Sequence, residues 1–172
     1  MEFEGIYNAH FDQIYKYIYY MISDSSLAEE LTQETFLKVY KSNFRNESSI
    51  STYIRRIARN LVYDTYRRNA LIKWISFKRE HEGRDEAYSP HEWLIASEER
   101  RNLYESLQKL KPEYREVVIY RKIEELSIAE TAEILNWSEV KVANTLRAAI
   151  KALKKQIGGA EDEFGQSFKG IE

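Results

Sequence analysis

The chain has 172 residues, 43% of them hydrophobic, a formal net charge of −2, six glycines, two prolines and no cysteine. Its length allows one medium domain or two small ones with a packed core, and the missing cysteines exclude disulfides, thiol catalysis and cysteine-ligated zinc. No apolar run approaches the roughly 18 residues of a membrane span and the N-terminal MEFEGIYNAH has no signal-peptide layout, so a cytoplasmic protein is expected.

Scarce glycine and proline favour helices over a turn-rich β fold. Residues 3–22 carry Phe3, Ile6, Tyr7, Phe11, Ile14, Tyr15 and Ile18 at helical spacing. Ser26 with Glu29 reads as a capping box, predicting a second helix from near Leu27. Leu27, Leu31, Thr35, Phe36 and Val39 form its inner side, and Glu29, Glu30, Gln33, Glu34 and Lys38 the opposite one. Asn43–Ser51 is loop-like, because Asn, Ser and Glu compete for backbone hydrogen bonds. A helix from about Thr52 to Asn69 follows, with Ile54, Ile57, Ala58, Leu61, Val62 and Thr65 as its apolar stripe. Residues 71–96 lose periodicity, hold Gly83 and Pro90, and read as a linker.

Glu98 to Leu110 is expected to be helical, with Leu103, Leu107 and Leu110 facing inward. Pro112 suits the first turn of the next helix, which carries Tyr114, Val117, Val118 and Tyr120. Ser127 with Glu130 forms another capping box for a helix from Ile128 to about Leu135. Asn136 can take a left-handed turn, and Ser138 caps a last helix from Glu139 to about Ile157. Two helices joined by about three residues have helix-turn-helix dimensions. The expected fold is all-α: a helical domain over 1–70, a flexible linker over 71–96, a helix-turn-helix domain over 97–157 and a tail over 158–172.

Charge is distributed unevenly, which matters more than its sum. Thr52–Arg79 holds eight cations (Arg55, Arg56, Arg59, Arg67, Arg68, Lys73, Lys78, Arg79) against one acid, Asp64. Lys141–Lys155 holds five cations and no acid. Two basic faces on one small chain point to DNA gripped at two places. On the last helix, Ser138, Lys141, Asn144, Thr145, Arg147 and Lys151 lie on or beside the outer face. Asn and Arg can bond adenine and guanine bidentately in the major groove, and lysines further down suit phosphates. On the earlier helix, Arg56, Arg59 and Arg67 flank the apolar stripe and Tyr53, Tyr63 and Tyr66 interleave with the arginines, a pattern that suits single-stranded nucleic acid. The plainer alternatives are a solvated basic face and tyrosines that serve packing; Tyr53, next to Ile54, is read as structural. The acidic side of the second helix can be a solvated face that favours the helix dipole, or a protein interface. His10, His81 and His91 lie scattered, and no HExxH, P-loop or GxSxG motif appears, so neither an enzyme nor a metal or cofactor site is expected.

Three stretches together resemble the extracytoplasmic-function sigma factors, the group 4 branch of the sigma-70 family of bacterial RNA polymerase. AEELTQETFLKVY (Ala28–Tyr40) is similar to the family's AED-hydrophobic-x-Q-E-x-F signature. FRNESSISTYIRRIARN (Phe44–Asn60) is similar to its loop followed by TWLYRIA-x-N, and Asp64, Arg67 and Arg68 continue the match. LQKLKPEYREVVIYRKIEELSIAETAEIL (Leu107–Leu135) resembles the run that ends in EIAeil. The resemblance implies a sigma region 2 bundle and a region 4 helix-turn-helix that dock on core RNA polymerase, at its β′ clamp helices and β flap, and read the promoter −10 and −35 elements. By position Glu30, Gln33 and Glu34 fall on the clamp-binding residues. Asn46, Glu47, Ser48 and Ser49 fall in the loop that captures a flipped −10 base, and Asn60 on a −10 position. An anti-sigma factor is a further implied partner.

The last helix departs from the family pattern S-x-G-T-V-K-S-R-L-x-R-A-R: Lys141 replaces Thr, Ala143 Lys, Thr145 Arg and Ala148 Arg. Contacts made by those family residues do not carry over, so an unusual −35 preference or a weaker grip is expected. A −10 to −35 spacing of about 17 base pairs spans roughly 58 Å. The stretch 71–96 averages about 28 Å as a coil and reaches roughly 85 Å extended, so it spans that gap only when held stretched. Two alternatives stand beside this reading: a helix-turn-helix regulator, which leaves Ser26–Asn69 unexplained, and a sigma-like adaptor that never initiates transcription.

Overall fold

A computed structural model describes residues 2–42, 44, 48–76 and 98–157, with backbone alone at 72–76 and 157. The described elements are helices: α1 (Phe3–Ile22), α2 (Ser25–Lys41), α3 (Ile50–Ser76), α4 (Glu98–Gln108), α5 (Pro112–Val118), a π turn (Ile119–Ile123), α6 (Ile128–Leu135) and α7 (Glu139–Ile157). They cluster into two compact units, one of residues 1–18 and 24–89, the other of 19–23 and 90–172.

The first unit is built on the packing of α2 against α3. Ala28, Leu31, Phe36 and Val39 of α2 are buried, as are Ile54, Ala58, Leu61 and Val62 of α3, and Ile14, Tyr17 and Ile18 of α1. Aromatic rings from α1 extend this core: Tyr7 lies 4.9 Å from Phe36 and 4.9 Å from Phe11. The buried hydroxyls of Thr32, Thr35 and Thr65 are satisfied within their own helices, donating to the carbonyls of Ala28 (2.6 Å), Leu31 (2.7 Å) and Leu61 (2.9 Å).

Boundaries of α2 and α3 differ from the sequence expectation, and α3 starts at Ile50, two residues before the expected Thr52. The N-cap of α2 is Asp24, not Ser26: its carboxylate accepts from the Leu27 N–H at 2.9 Å. Aspartate caps as well as serine does and adds a favourable charge at the positive helix end, so the upstream candidate wins. Helix α3 runs to Ser76, into the segment read as linker, because Ala70–Ser76 contains no glycine or proline to stop it.

His10, half-buried on α1, has a pKa below the ordinary imidazole value, first through burial and second through the charge of Arg55. The unfolded chain therefore binds this proton more readily than the folded one. Stability from this group is full above about pH 6.5 and falls as pH drops below it. Urea unfolding in steps from about pH 7 to pH 5.5 is expected to show that decline, and His10→Gln to flatten it; an unchanged slope in the variant would assign the decline to other groups.

In the second unit α7 packs against α5 and α6. Its core combines Leu103, Leu107, Val117, Val118, Ile134, Leu135, Val142, Ala149 and Leu153. The local signals read from sequence hold here. Pro112 occupies the first turn of α5. Ser127 and Glu130 form both halves of the capping box. Asn136 takes the left-handed conformation (φ 55°, ψ 45°), and Ser138 Oγ accepts from the Lys141 N–H at 3.1 Å. Arg115 is buried, and its guanidinium donates to four carbonyls: Leu107 (2.9 Å), Gln108 (3.1 Å) and Leu110 (3.0 Å), where α4 ends and turns toward α5, and Met21 (2.9 Å).

Candidate nucleic-acid and protein interfaces

Helix α2 presents one mixed face. Its buried residues, Ala28, Leu31, Thr32, Thr35, Phe36 and Val39, share one side. At 100° per residue the opposite side is centred on Leu37, with Glu30, Gln33, Glu34 and Tyr40 around it. Leu37 is 50% exposed and Tyr40 67%. Glu34 pairs with Lys38 at 3.6 Å, a surface contact of little energetic weight. The sequence reading named Glu30, Gln33 and Glu34 and missed Leu37. Its signal was available: an apolar residue four positions beyond Gln33 and three beyond Glu34, on the polar side of an amphipathic helix.

Helix α3 presents the first basic face. Arg56, Asn60, Tyr63 and Arg67 recur at intervals of four, three and four, so they line one outward stripe. The buried residues Ile54, Ala58, Leu61, Val62 and Thr65 lie opposite. Arg59 borders the stripe, its guanidinium carbon 4.6 Å from the Tyr63 ring centre. Tyr66 meets Tyr63 edge-on at 5.6 Å, and Arg67 pairs with Asp64. Arg55 leaves this face: it is buried, bonded to Ser51 and, at 3.0 Å, to Gln13 Oε1. Tyr53 is half-buried with its ring 5.0 Å from Phe44.

Of the loop residues, Asn46 and Glu47 lie outside the described residues. Ser48 is half-buried. Ser49 caps α3, its Oγ accepting from the Thr52 N–H at 3.1 Å while it donates to Thr52 Oγ1 at 2.9 Å. That cap fixes where the loop meets the start of the basic helix.

Helix α7 presents the second basic face. Asn144, Arg147 and Lys151 are exposed on one line, and Val142, Ala149 and Leu153 are buried behind it. Arg147 Nη1 donates to Asn144 Oδ1 at 3.1 Å. Lys141 stands at the flank with its ammonium 3.9 Å from the centre of the Trp137 ring, a cation–π contact that fixes it beside the turn. Thr145 is half-buried toward the core side. The sequence-named residues thus divide into an outer line (Asn144, Arg147, Lys151), a flank (Ser138, Lys141) and an inner edge (Thr145). Among the described residues no group of three or more His, Cys, Asp or Glu is placed to hold a metal ion, and no helix is long and apolar enough to cross a membrane.

Comparison with known proteins bears on these faces. Residues 6–72 match the model of sigma-70 region 2, and residues 100–153 that of sigma-70, region 4. The chain is 30% identical to the ECF RNA polymerase sigma factor SigX of Bacillus subtilis (strain 168), over 94% of this chain and 87% of that protein. It is 31% identical to the RNA polymerase sigma factor YlaC of the same organism, over 93% and 94%. Among solved structures, the sigma factor RpoE of Bartonella quintana, in complex with the anti-sigma factor NepR, aligns with a TM-score of 0.73 over 92% of this chain and 98% of that one, at 17% identity. CnrH, in complex with the cytosolic domain of CnrY, aligns at 0.68 over 92% and 89%, also at 17% identity. At such identity the likeness is one of fold.

Proposed function

The chain belongs to the sigma-70 family as an extracytoplasmic-function sigma factor, directing core RNA polymerase to promoters, and we propose how its surfaces divide that work. The Glu30–Gln33–Glu34–Leu37 face of α2 docks on the β′ clamp helices. The α3 stripe, with Asn46, Glu47, Ser48 and Ser49 before it, takes the melted −10 element. The outer line of α7 takes the −35 element as duplex, while the second unit reaches the β flap. None of these steps needs catalytic chemistry, a metal or a cofactor from the chain itself.

The observation that carries this reading is the α3 stripe. Arginines that hold a phosphate backbone stand in line with Tyr63, and unstacked bases bind by stacking on such rings. Arg59 and Tyr66 brace Tyr63 at 4.6 Å and 5.6 Å. Transcription in vitro with core polymerase and no other specificity subunit tests the whole: initiation at discrete sites is expected, and silence on every genomic template would sink it.

Tyr63→Ala and Asn60→Ala isolate the −10 role. Loss of one stacking contact amounts to about 1–3 kcal/mol, so open complexes are expected to fall roughly five- to a hundredfold with Tyr63→Ala. Binding to core should be unchanged in both variants, because neither residue lies on the α2 face. Normal open-complex yields on a promoter that the parent uses would remove these residues from the −10 interface.

A cytoplasmic location and an anti-sigma factor complete the proposal. Support for the partner comes from RpoE and CnrH, each solved with a bound protein, NepR and the cytosolic domain of CnrY. Co-purification of a protein that blocks binding to core is the expected result for the partner.

A further inference from the structure

The outermost line of α7 begins with an apolar side chain. Val140 is 68% exposed in the first turn of the helix. Asn144, Arg147 and Lys151 follow it at intervals of four, three and four, so all four residues share one face. An exposed valine gains nothing as a helix former, since its branched side chain loses rotamer freedom there. A lone exposed apolar residue carries no message by itself; this one stands at the N-terminal end of the second helix of a helix-turn-helix, the part that meets base edges in the major groove.

Its neighbours narrow the chemistry. Asn144 Oδ1 accepts from Arg147 Nη1 at 3.1 Å. The pair therefore offers donors outward, the amide N–H groups and the remaining guanidinium N–H groups, which match the N7 and O6 acceptors of guanine. Valine has neither donor nor acceptor. The apolar group that base edges display in the major groove is the 5-methyl of thymine. Lys141 does not cover the valine's position, because its ammonium is drawn aside over Trp137 at 3.9 Å.

Resting on the reading that α7 takes the −35 element, we propose that Val140 is a specificity-determining residue there, packing against the 5-methyl group of a thymine next to the step that Asn144 and Arg147 contact. The departure of α7 from the family pattern then has a direct consequence: a chain that lacks the usual arginine and lysine contacts reads one position by apolar fit.

The test uses full-length protein with core polymerase and a promoter recovered by sequencing its own transcripts. Each thymine of the −35 element, on both strands, is replaced singly by deoxyuridine, which pairs alike but lacks the methyl group. One replacement is expected to lower holoenzyme binding about three- to fivefold, the scale of one buried methyl group. Val140→Ala, a change at an exposed site to a better helix former, is expected to lose a similar factor on the thymine template and to be indifferent to that deoxyuridine. Methyl sensitivity equally large in Val140→Ala, or absent at every thymine, overturns the inference while leaving the sigma reading intact. A holoenzyme that initiates nowhere overturns the sigma reading itself, and this inference with it.

Discussion

Replacing Gln33, Glu34 and Leu37 together by alanine is expected to weaken binding to core polymerase by about ten- to a hundredfold while leaving the thermal midpoint almost unchanged. Both halves follow from where these side chains stand. Ala28, Leu31, Phe36 and Val39 carry the packing of α2, whereas Leu37 is half-exposed on the opposite side and Gln33 is exposed too. Truncating them removes no core volume, and the Glu34–Lys38 pair lost with them is a surface contact. Interfaces draw most of their energy from a few desolvated apolar anchors ringed by polar groups that exclude water. Leu37 among Glu30, Gln33 and Glu34 has that layout.

The single variants should separate the contributions. Leu37→Ala is expected to act through faster dissociation, and Glu34→Ala through slower, salt-sensitive association. Glu29→Ala, on the flank of the same helix, is expected to change neither. Unchanged core affinity of the triple variant in a direct binding titration would remove the clamp-docking role, and an equal loss with Glu29→Ala would reduce the face to nonspecific charge.

Much of the fold was legible because its signals are local. A capping box needs four consecutive residues, and Ser127–Glu130 supplies them. A left-handed turn needs a tolerant residue, and Asn136 is one. The apolar stripes of α3 and α7 gave the core directly, because burial follows the helical period. Legibility failed where competition or three-dimensional partners decide. Asp24 and Ser26 are both good caps, and only the backbone path selects Asp24. Arg55 counted as part of a basic face, yet its acceptors, Ser51 and Gln13, draw it inside. Its position three before Ala58 and seven before Val62 places it on the inner arc, a cue that charge counting overrides. Leu37 and Val140 are the converse: apolar residues on outward arcs, invisible to a search that looks for apolar stripes and charged faces separately. The faces themselves were readable from the sequence, and the residues proposed to give them selectivity were those that broke the pattern.

Arg115→Ala is expected to destabilise the second unit by about 3 kcal/mol and with it to abolish −35-dependent initiation. The guanidinium reaches the carbonyls of Leu107, Gln108 and Leu110 at 2.9, 3.1 and 3.0 Å. These groups sit at the end of α4 and in the turn to α5, where a helix runs out of i+4 donors; Leu107 O also accepts from the Leu110 N–H at 3.1 Å, and the guanidinium reaches Met21 O as well, at 2.9 Å. Their surroundings are apolar: Leu107, Leu110, Val117 and Val118 are buried. Alanine would take the guanidinium from the Met21, Gln108 and Leu110 carbonyls, while Leu107 keeps its bond from Leu110, and leave a cavity; each stranded group costs about 1–3 kcal/mol, offset in part by entering water. Lysine is expected to restore only a fraction, because one ammonium on a flexible stem cannot reproduce a planar fork that spans four acceptors. Hydrogen exchange in the intact chain reads the effect directly: amides of α6 and α7 should exchange roughly a hundredfold faster, the factor that corresponds to about 3 kcal/mol of opening free energy. With α7 as the proposed −35 reader, packed on α6, transcription from promoters with a mutated −35 element should respond less to Arg115→Ala than transcription from the parent promoter. Wild-type exchange rates in α6 and α7 would show that water replaces the arginine at no cost and that the turn is held by the surrounding core alone.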